Sequence, residues 1–523
     1  MSPKNPRLLT ILDTIFLILV VGAAGYFRFV NLGQNPGLYN DEGTLLNLSI
    51  NHYNGRMEYL GIEGSWLLAG RMPVFPWLLS LAYHFFEPGL LVLRTFTALS
   101  GVISVLLLFL FLRNVKNEIV PYLEYISPLV LAIHPKLVLF NRIGFGYNLL
   151  IPITIIVIWL LWLYLHSKKT HWLILASLIA GTGVLIELAY IVFVVFVAIV
   201  IAIFNIRKFP FTTIILLLPL MIYFIISFLS FGDAFLFDWQ VTFGRGNAAT
   251  FLYQIGNLII KIILFMIDDP TFLISIFGVL ALSNPKLSFL FFFGIFIPLI
   301  IISRTFSMTH QSYYYFLPYV PFVAVGIASF IIQFSKWIMN FSTGLIPLIP
   351  FFQKLSQRTQ NLLKIIIFDV IFFTIIILPS SLFIFVTTTQ VKEGFRTNFD
   401  HLLINIQDFS QINHYLQKEA NPTDLIIASP AIAWALPGNP TDYQIAIAVN
   451  ESPTIHFPKG IPKERMRFET SIQNADYAIV DKIMKTWTNG ELPGIEDWVK
   501  RIEAEWQPVF QTDSMTIYRK PRS

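Results

Sequence analysis

Residues 8–44 read LLTILDTIFLILVVGAAGYFRFVNLGQNPGLYNDEGT. The stretch opens on an apolar run about 20 residues long, the length a helix needs to cross a bilayer. It does not read as a cleavable leader. The run is long, lacks a small-residue cleavage site and continues into Tyr26, Phe27 and Arg28. It then gives way to a polar segment that ends in Asn40-Asp41-Glu42-Gly43, so two carboxylates follow closely on a membrane span.

Working outward, apolar runs recur near 90–112, 120–139, 149–165, 172–187, 188–205, 211–231, 270–283, 287–303, 313–334 and 365–386. With 8–29 they predict eleven transmembrane helices. Residues 73–86 are too short to span comfortably and predict an interfacial helix. Residues 251–267 predict a helix on the outer surface. Residues 335–363 predict a long inner loop with an amphipathic helix. Composition agrees: 55% of the 523 residues are hydrophobic and 13% charged. Soluble domains carry about 25% charged residues, so a soluble globular enzyme and a disordered chain are both excluded. There is no cysteine, hence no disulfide framework, thiolate nucleophile or cysteine zinc site.

The net charge of +5 divides unevenly. Residues 1–386 hold 22 Lys/Arg against 14 Asp/Glu, and residues 387–523 hold 14 against 17. The basic excess belongs to the hydrophobic part, which argues for membrane orientation and against a nucleic-acid partner. With the N-terminus cytoplasmic, inner segments carry thirteen Lys/Arg and outer loops five: Arg56, Arg71, Arg142, Arg245 and Arg304. An odd number of spans then puts residues 387–523 outside. That tail alternates helix 406–420, strand 424–429, strand 475–481, helix 496–506 and a hairpin near 507–519, the pattern of a small α/β domain. The fold expected is an α-helical polytopic membrane domain, 1–386, followed by an extracytoplasmic α/β domain, 387–523.

The first outer loop, 31–89, is far longer than the roughly 2–8 residues of an ordinary helix connection. Asp41 and Glu42 read either as solvated loop charge or as a base or metal ligand at the membrane surface. A partly desolvated carboxylate beside another has a raised pKa suited to taking a hydroxyl proton. Arg94, Arg142, Arg245 and Arg304 are candidate ligand-binding cations at the outer surface, with His310 and Tyr313 following Arg304. Arg94 reads alternatively as an interfacial anchor. Ionisable groups within spans are functional candidates by default, which brings in Lys136 and Glu187. Asp268 and Asp269 read as a cap before Pro270 or as a substrate-binding pair. Nine histidines show no metal-ligand spacing. No metal site and no obligatory cofactor are expected, although a divalent cation is compatible with the acidic loop.

Three segments together resemble a known family. They are Asp41-Glu42 after the first span, Arg71-Met72-Pro73-Val74-Phe75-Pro76-Trp77-Leu78-Leu79, and Leu93-Arg94-Thr95-Phe96-Thr97-Ala98-Leu99-Ser100-Gly101. They look like the start of GT-C glycosyltransferases that use polyprenyl-phosphate sugars, in the protein O-mannosyltransferase and lipid A aminoarabinose transferase branch. The resemblance continues through Asn141-Arg142, through the segment from Tyr313 to Pro321, and through Ser429-Pro430-Ala431-Ile432-Ala433-Trp434. It implies transfer of a sugar with inversion to an acceptor hydroxyl on a glycan, lipid or protein at the outer face of a bacterial plasma membrane. It implies Asp41 as base, Glu42 as supporting carboxylate or acceptor binder and Arg94 as a phosphate ligand, with Arg142, Arg245, Arg304, His310 and Tyr313 as further phosphate candidates, since an arginine fork matches phosphate oxygens. Two departures stand out. Arg71-Met72-Pro73 replaces a common His-Pro-Pro. The run after Arg142 lacks the acidic residue many members have, leaving Asn148, which can hydrogen-bond but cannot act as base. A lipid-linked sugar transporter and an inactive scaffold with a partner-binding tail are the alternatives.

Overall fold

The computed structural model describes residues 6–64, 70–244, 251–305, 310–345, 356–395, 400–449, 454, 457, 460–488 and 495–521. Arg245 lies outside them, and the side chains of Arg304, His310 and Asp268 do too.

The helical part begins with α1 (Pro6–Phe29), α2 (Asn40–Tyr53), α3 (Val74–Ala82), α4 (Leu90–Asn114), α5 (Leu123–Ile133) and α6 (Pro135–Asn141). Next come α7 (Tyr147–Ser167), α8 (Thr170–Gly183), α9 (Ile191–Phe204), α10 (Phe209–Phe231) and α11 (Asp233–Gly244). It closes with α12 (Phe251–Asp268), α13 (Pro270–Leu280), α14 (Pro285–Thr305), α15 (Val320–Leu345) and α16 (Gln357–Glu393). Seven described helices are long and apolar enough to cross a membrane, or nine if each of two bent pairs is one span. Helices α8 and α9 are shorter apolar helices.

Proline explains where the runs break. Pro135 has no N–H and cannot continue the ladder of α5, so the chain bends by 59° between α5 and α6. Its loss leaves helix-end carbonyls, and Arg28 of α1 takes them. The guanidinium is wholly buried and donates to Leu131 O and Ala132 O at 2.9 Å each and to Asn141 Oδ1 at 2.8 Å. Pro270 makes the second break. Residues 251–267 were expected as a separate surface helix. Residues 258–267 join α13 through Asp269-Pro270 with a bend of 96°, and the two together are apolar and long enough for a broken span or a re-entrant loop. The predicted span 172–187 stops at Gly183 and leaves Glu187 in the connection to α9. Helix α16 overruns its predicted limits at both ends.

The tail holds β4 (Leu403–Ile404), α17 (Ile406–Glu419), β5 (Leu425–Ala428), β6 (Asn439–Asp442), β7 (Tyr477–Asp481), α21 (Ile495–Glu505), β8 (Gln507–Gln511) and β9 (Met515–Arg519), with the short helices α18 (Pro430–Ala433), α19 (Tyr443–Val449) and α20 (Lys482–Thr488) between them. The sheet order is β6-β5-β7-β9-β8. β5 runs parallel to β6 and β7, and β9 runs antiparallel to β7 and β8. Carboxylates close two parallel strands and cap the helices that follow. Gln444 N donates to Asp442 Oδ1 at 2.9 Å, and Met484 N to Asp481 Oδ1 at 2.8 Å. Burial pushes the Asp442 carboxyl up to about 7, and neighbouring Asp481 adds to the rise.

The two ends of the chain are sewn together over the first loop. β1 (Leu38–Tyr39) pairs antiparallel with β4, Leu38 opposite Ile404. Ala431 N donates to Asn40 Oδ1 at 3.2 Å. Gly43 backs onto α18 so closely that an added methyl would sit 1.9 Å from Pro430 O. Arg465 forks onto Asp238 of α11 at 2.7 and 3.0 Å and donates to Glu63 O at 2.8 Å. The first turn of α2 is therefore clamped by the tail.

Candidate active site

Asp41 and Glu42 sit in the first turn of α2, where carboxylates favour the positive helix end. Adjacent positions on a helix point about 100° apart, and here the two part company. Glu42 turns inward and is completely buried. Its Oε2 accepts Tyr39 N at 3.0 Å, the return bond of a capping box, and its Oε1 accepts Gly144 N at 2.8 Å. Arg94 of α4 grips both oxygens, Nε to Oε1 and Nη2 to Oε2, at 2.8 Å each.

Arg94 has no donor left. Its remaining N–H groups reach Leu32 O at 3.1 Å, Pro36 O at 2.8 Å and Gly37 O at 2.8 Å, so all five are used. This corrects two expectations: Arg94 is closed to phosphate and Glu42 to an acceptor. The expectation for Arg142 is corrected by its burial rather than by a full set of bonds. Arg142 is buried, holds Asn35 O through Nε and Nη2 at 3.1 and 2.6 Å, and reaches Phe27 O at 2.8 Å. Asn148 is buried as well, donating to Phe140 O at 2.9 Å and Ile143 O at 3.0 Å and accepting from Asn141 at 2.7 Å. These four side chains fasten loops to helices.

Asp41 faces the other way, with 22% of its side chain exposed. Arg71, just ahead of α3, places Nη2 2.6 Å from Asp41 Oδ1. The same guanidinium has Nη1 3.9 Å from Glu187 Oε2. Glu187 is 4% exposed. Burial pushes its carboxyl up to about 7 while Arg71 pulls it down and Asp41 pushes it further up. Gly146 makes room for it: a methyl there would meet Glu187 Oε1 at 2.5 Å. Arg71 Nε is buried and has no hydrogen-bond partner among the described residues. One donor of the fork is thus unused in an enclosed site.

Tyrosines wall this triad. Tyr39, Tyr147, Tyr314 and Tyr315 all lie within electrostatic reach of Asp41. Tyr314 stacks on Phe145 at 4.8 Å between ring centres, and Tyr147 meets Tyr315 edge-on at 5.3 Å. Aromatic faces of this kind suit the C–H faces of a sugar, and their hydroxyls its oxygens. A second cluster lies along the same wall. Lys136 Nζ is 3.4 Å from Asp269 Oδ2 and 5.3 Å from the ring centre of Tyr313, which stacks on Phe140. Asp269 also caps α13 through Thr271 N at 3.2 Å.

Of the residues singled out in the sequence, the structure therefore joins Asp41 with Glu187, and Lys136 with Asp269 and Tyr313. Arg71, Tyr39, Tyr147, Tyr314 and Tyr315 complete the site without having been singled out for it. The available signals were that Arg71 stands at the altered His-Pro-Pro position and that Tyr314 and Tyr315 lie in the segment from Tyr313 to Pro321. Among the described residues no group of three or more His, Asp or Glu could hold a metal ion.

The whole chain superposes on ArnT from Cupriavidus metallidurans in the apo state, with a TM-score of 0.59 and 13% identity over 97% of this chain and 98% of that one. The chain has the GT-C fold. ArnT bound to undecaprenyl phosphate gives a TM-score of 0.56 at 12% identity, covering 98% of both chains. The Archaeoglobus fulgidus oligosaccharyltransferase in its apo form gives 0.50 at 13% identity, over 92% of this chain and 70% of that one. Residues 70–232 match the model of the dolichyl-phosphate-mannose-protein mannosyltransferase family. No curated protein matches in sequence. In this GT-C chain the matched segment contains both Arg71 and Glu187, and the fold brings Asp41 to it from outside the segment.

Proposed function

We propose that this chain is a membrane glycosyltransferase that moves a sugar from a polyprenyl-phosphate donor to an acceptor hydroxyl, with inversion at the anomeric carbon. The observation that carries the reading is the unfinished ion pair: a partly exposed Asp41 held by Arg71, whose buried Nε–H has no acceptor among the described residues. A phosphate oxygen is the natural acceptor for that donor.

Asp41 takes the acceptor's proton as its oxygen forms a bond to the anomeric carbon. The bond from that carbon to the phosphate oxygen breaks, and the polyprenyl phosphate leaves with the electron pair. Arg71 offsets the charge that develops on the phosphate. The tyrosines hold the sugar, and the Lys136–Asp269 pair lies further along the aromatic wall as a secondary contact. The ArnT structure with undecaprenyl phosphate supports the choice of carrier. The acceptor is a glycan, lipid or protein. The reaction takes place at the outer face of a bacterial plasma membrane, with the N-terminus cytoplasmic and the tail covering the site.

The test is transfer by the purified full chain in liposomes from undecaprenyl-phosphate-linked hexoses and pentoses. Asp41→Asn is expected to lower kcat by about 10²- to 10⁴-fold, the usual worth of a general base, with unchanged folding. Wild-type rates in that variant would remove Asp41 from the reaction.

A further inference from the structure

Arg71 is one cation shared by two carboxylates, and the sharing is unequal. Asp41 is close and partly exposed, as an acceptor's proton requires. Glu187 is sealed and sits 3.9 Å away on the other side. The charged and titratable groups facing Glu187 are Arg71, Asp41, Tyr147 and Tyr315. Its cationic neighbour is Arg71. Glu187 therefore helps set how much positive charge Arg71 presents.

We propose that Glu187 is a specificity-determining residue that limits the positive charge offered to the lipid phosphate, so that the site holds the donor's singly charged phosphodiester and releases the more highly charged phosphomonoester left after transfer. The inference rests on the glycosyltransferase reading for its two ligands. The donor is a phosphodiester and carries one negative charge throughout the neutral range. The departing carrier is a phosphomonoester whose second ionisation lies near pH 6, which gives it about −1.5 to −2 at neutrality. Arg71 divides one positive charge between the carboxyl groups of Asp41 and Glu187 and has little to spare for a second charge on the phosphate. The second charge of the product finds no counter-ion and repels both carboxylates. Burial lifts the Glu187 carboxyl up to about 7, so its charge is in place at pH 8.5. No covalent step is involved.

The experiment is inhibition and direct binding by undecaprenyl phosphate in liposomes, measured with the full chain at pH 6 and pH 8.5. In the wild type, product binding should weaken by about tenfold or more over this range, while donor KM shifts less. Glu187→Gln keeps the shape and removes the charge. It should tighten undecaprenyl phosphate by about tenfold at pH 8.5 relative to wild type, with a smaller effect on donor KM. A purely structural role would weaken both ligands together, and that result overturns the proposal. If Glu187→Gln does not fold, the wild type alone still decides, because equal pH dependence for product and donor overturns the proposal. Product binding is read without turnover. A chain that binds undecaprenyl phosphate as described but transfers no sugar would defeat the glycosyltransferase reading and leave the charge selection of the site standing.

Discussion

Two arginine–carboxylate pairs start from neighbouring residues of one helix turn and end in opposite conditions. In Glu42–Arg94 both partners are fully buried, the fork is bidentate and every N–H of the arginine is used. In Asp41–Arg71 the carboxylate is partly exposed, the arginine is split between two acids and its Nε–H has no partner among the described residues. The chemistry is the same; the coordination differs. A completed pair has its whole hydrogen-bonding capacity consumed by the fold. An incomplete pair in an enclosed site keeps capacity for a ligand.

The comparison can be broken by exchanging the consequences of mutation. Asp41→Asn should remove catalysis by about 10²- to 10⁴-fold and leave the melting temperature in detergent nearly unchanged. Glu42→Gln should do the reverse in kind. It strips the charge partner from a buried arginine, a change that costs about 3–5 kcal/mol, and thermal unfolding should show it before any kinetic assay does. If Glu42→Gln folded normally and lost only activity, the two pairs would not differ as described.

Smaller effects sharpen the account. Gly43→Ala inserts a methyl against Pro430 O, and should destabilise by about 1–3 kcal/mol through forced backbone movement. Protease sensitivity of the tail junction should rise with it. Asp442 has a folded pKa raised above its unfolded value. Its contribution to stability is therefore present at low pH and lost as pH rises from about 4 through about 7. Asp442→Asn should gain stability relative to wild type along that interval, as followed by melting at stepped pH. A constant difference would contradict the burial argument. Arg467→Ala removes a half-exposed contact to Glu58 at 3.1 Å, and should cost less than about 1 kcal/mol.

Much of the architecture was legible. Apolar run length reveals spans because lipid demands it, and the tail helices and β5, β7 and the closing hairpin follow their patterns. β6 did not, because Asn439-Pro440-Thr441-Asp442 has no strand pattern. It pairs as an edge strand, where proline is tolerated. The site was half legible. Asp41 and Glu187 could be named as ionisable groups near the membrane surface. Their meeting through Arg71 depends on the end of α8 at Gly183 and on the space at Gly146, which no local pattern encodes. Arg94 looked like a phosphate ligand because sequence displays a residue's charge and hides its coordination.

A structure of the full chain with a lipid phosphodiester sugar bound tests the central claim most directly. The account predicts a phosphate oxygen within hydrogen-bond distance of Arg71 Nε and the anomeric carbon facing Asp41, with Arg94 still gripping Glu42. A phosphate seated on Arg94, Arg142 or Lys136 with Arg71 unengaged would contradict it.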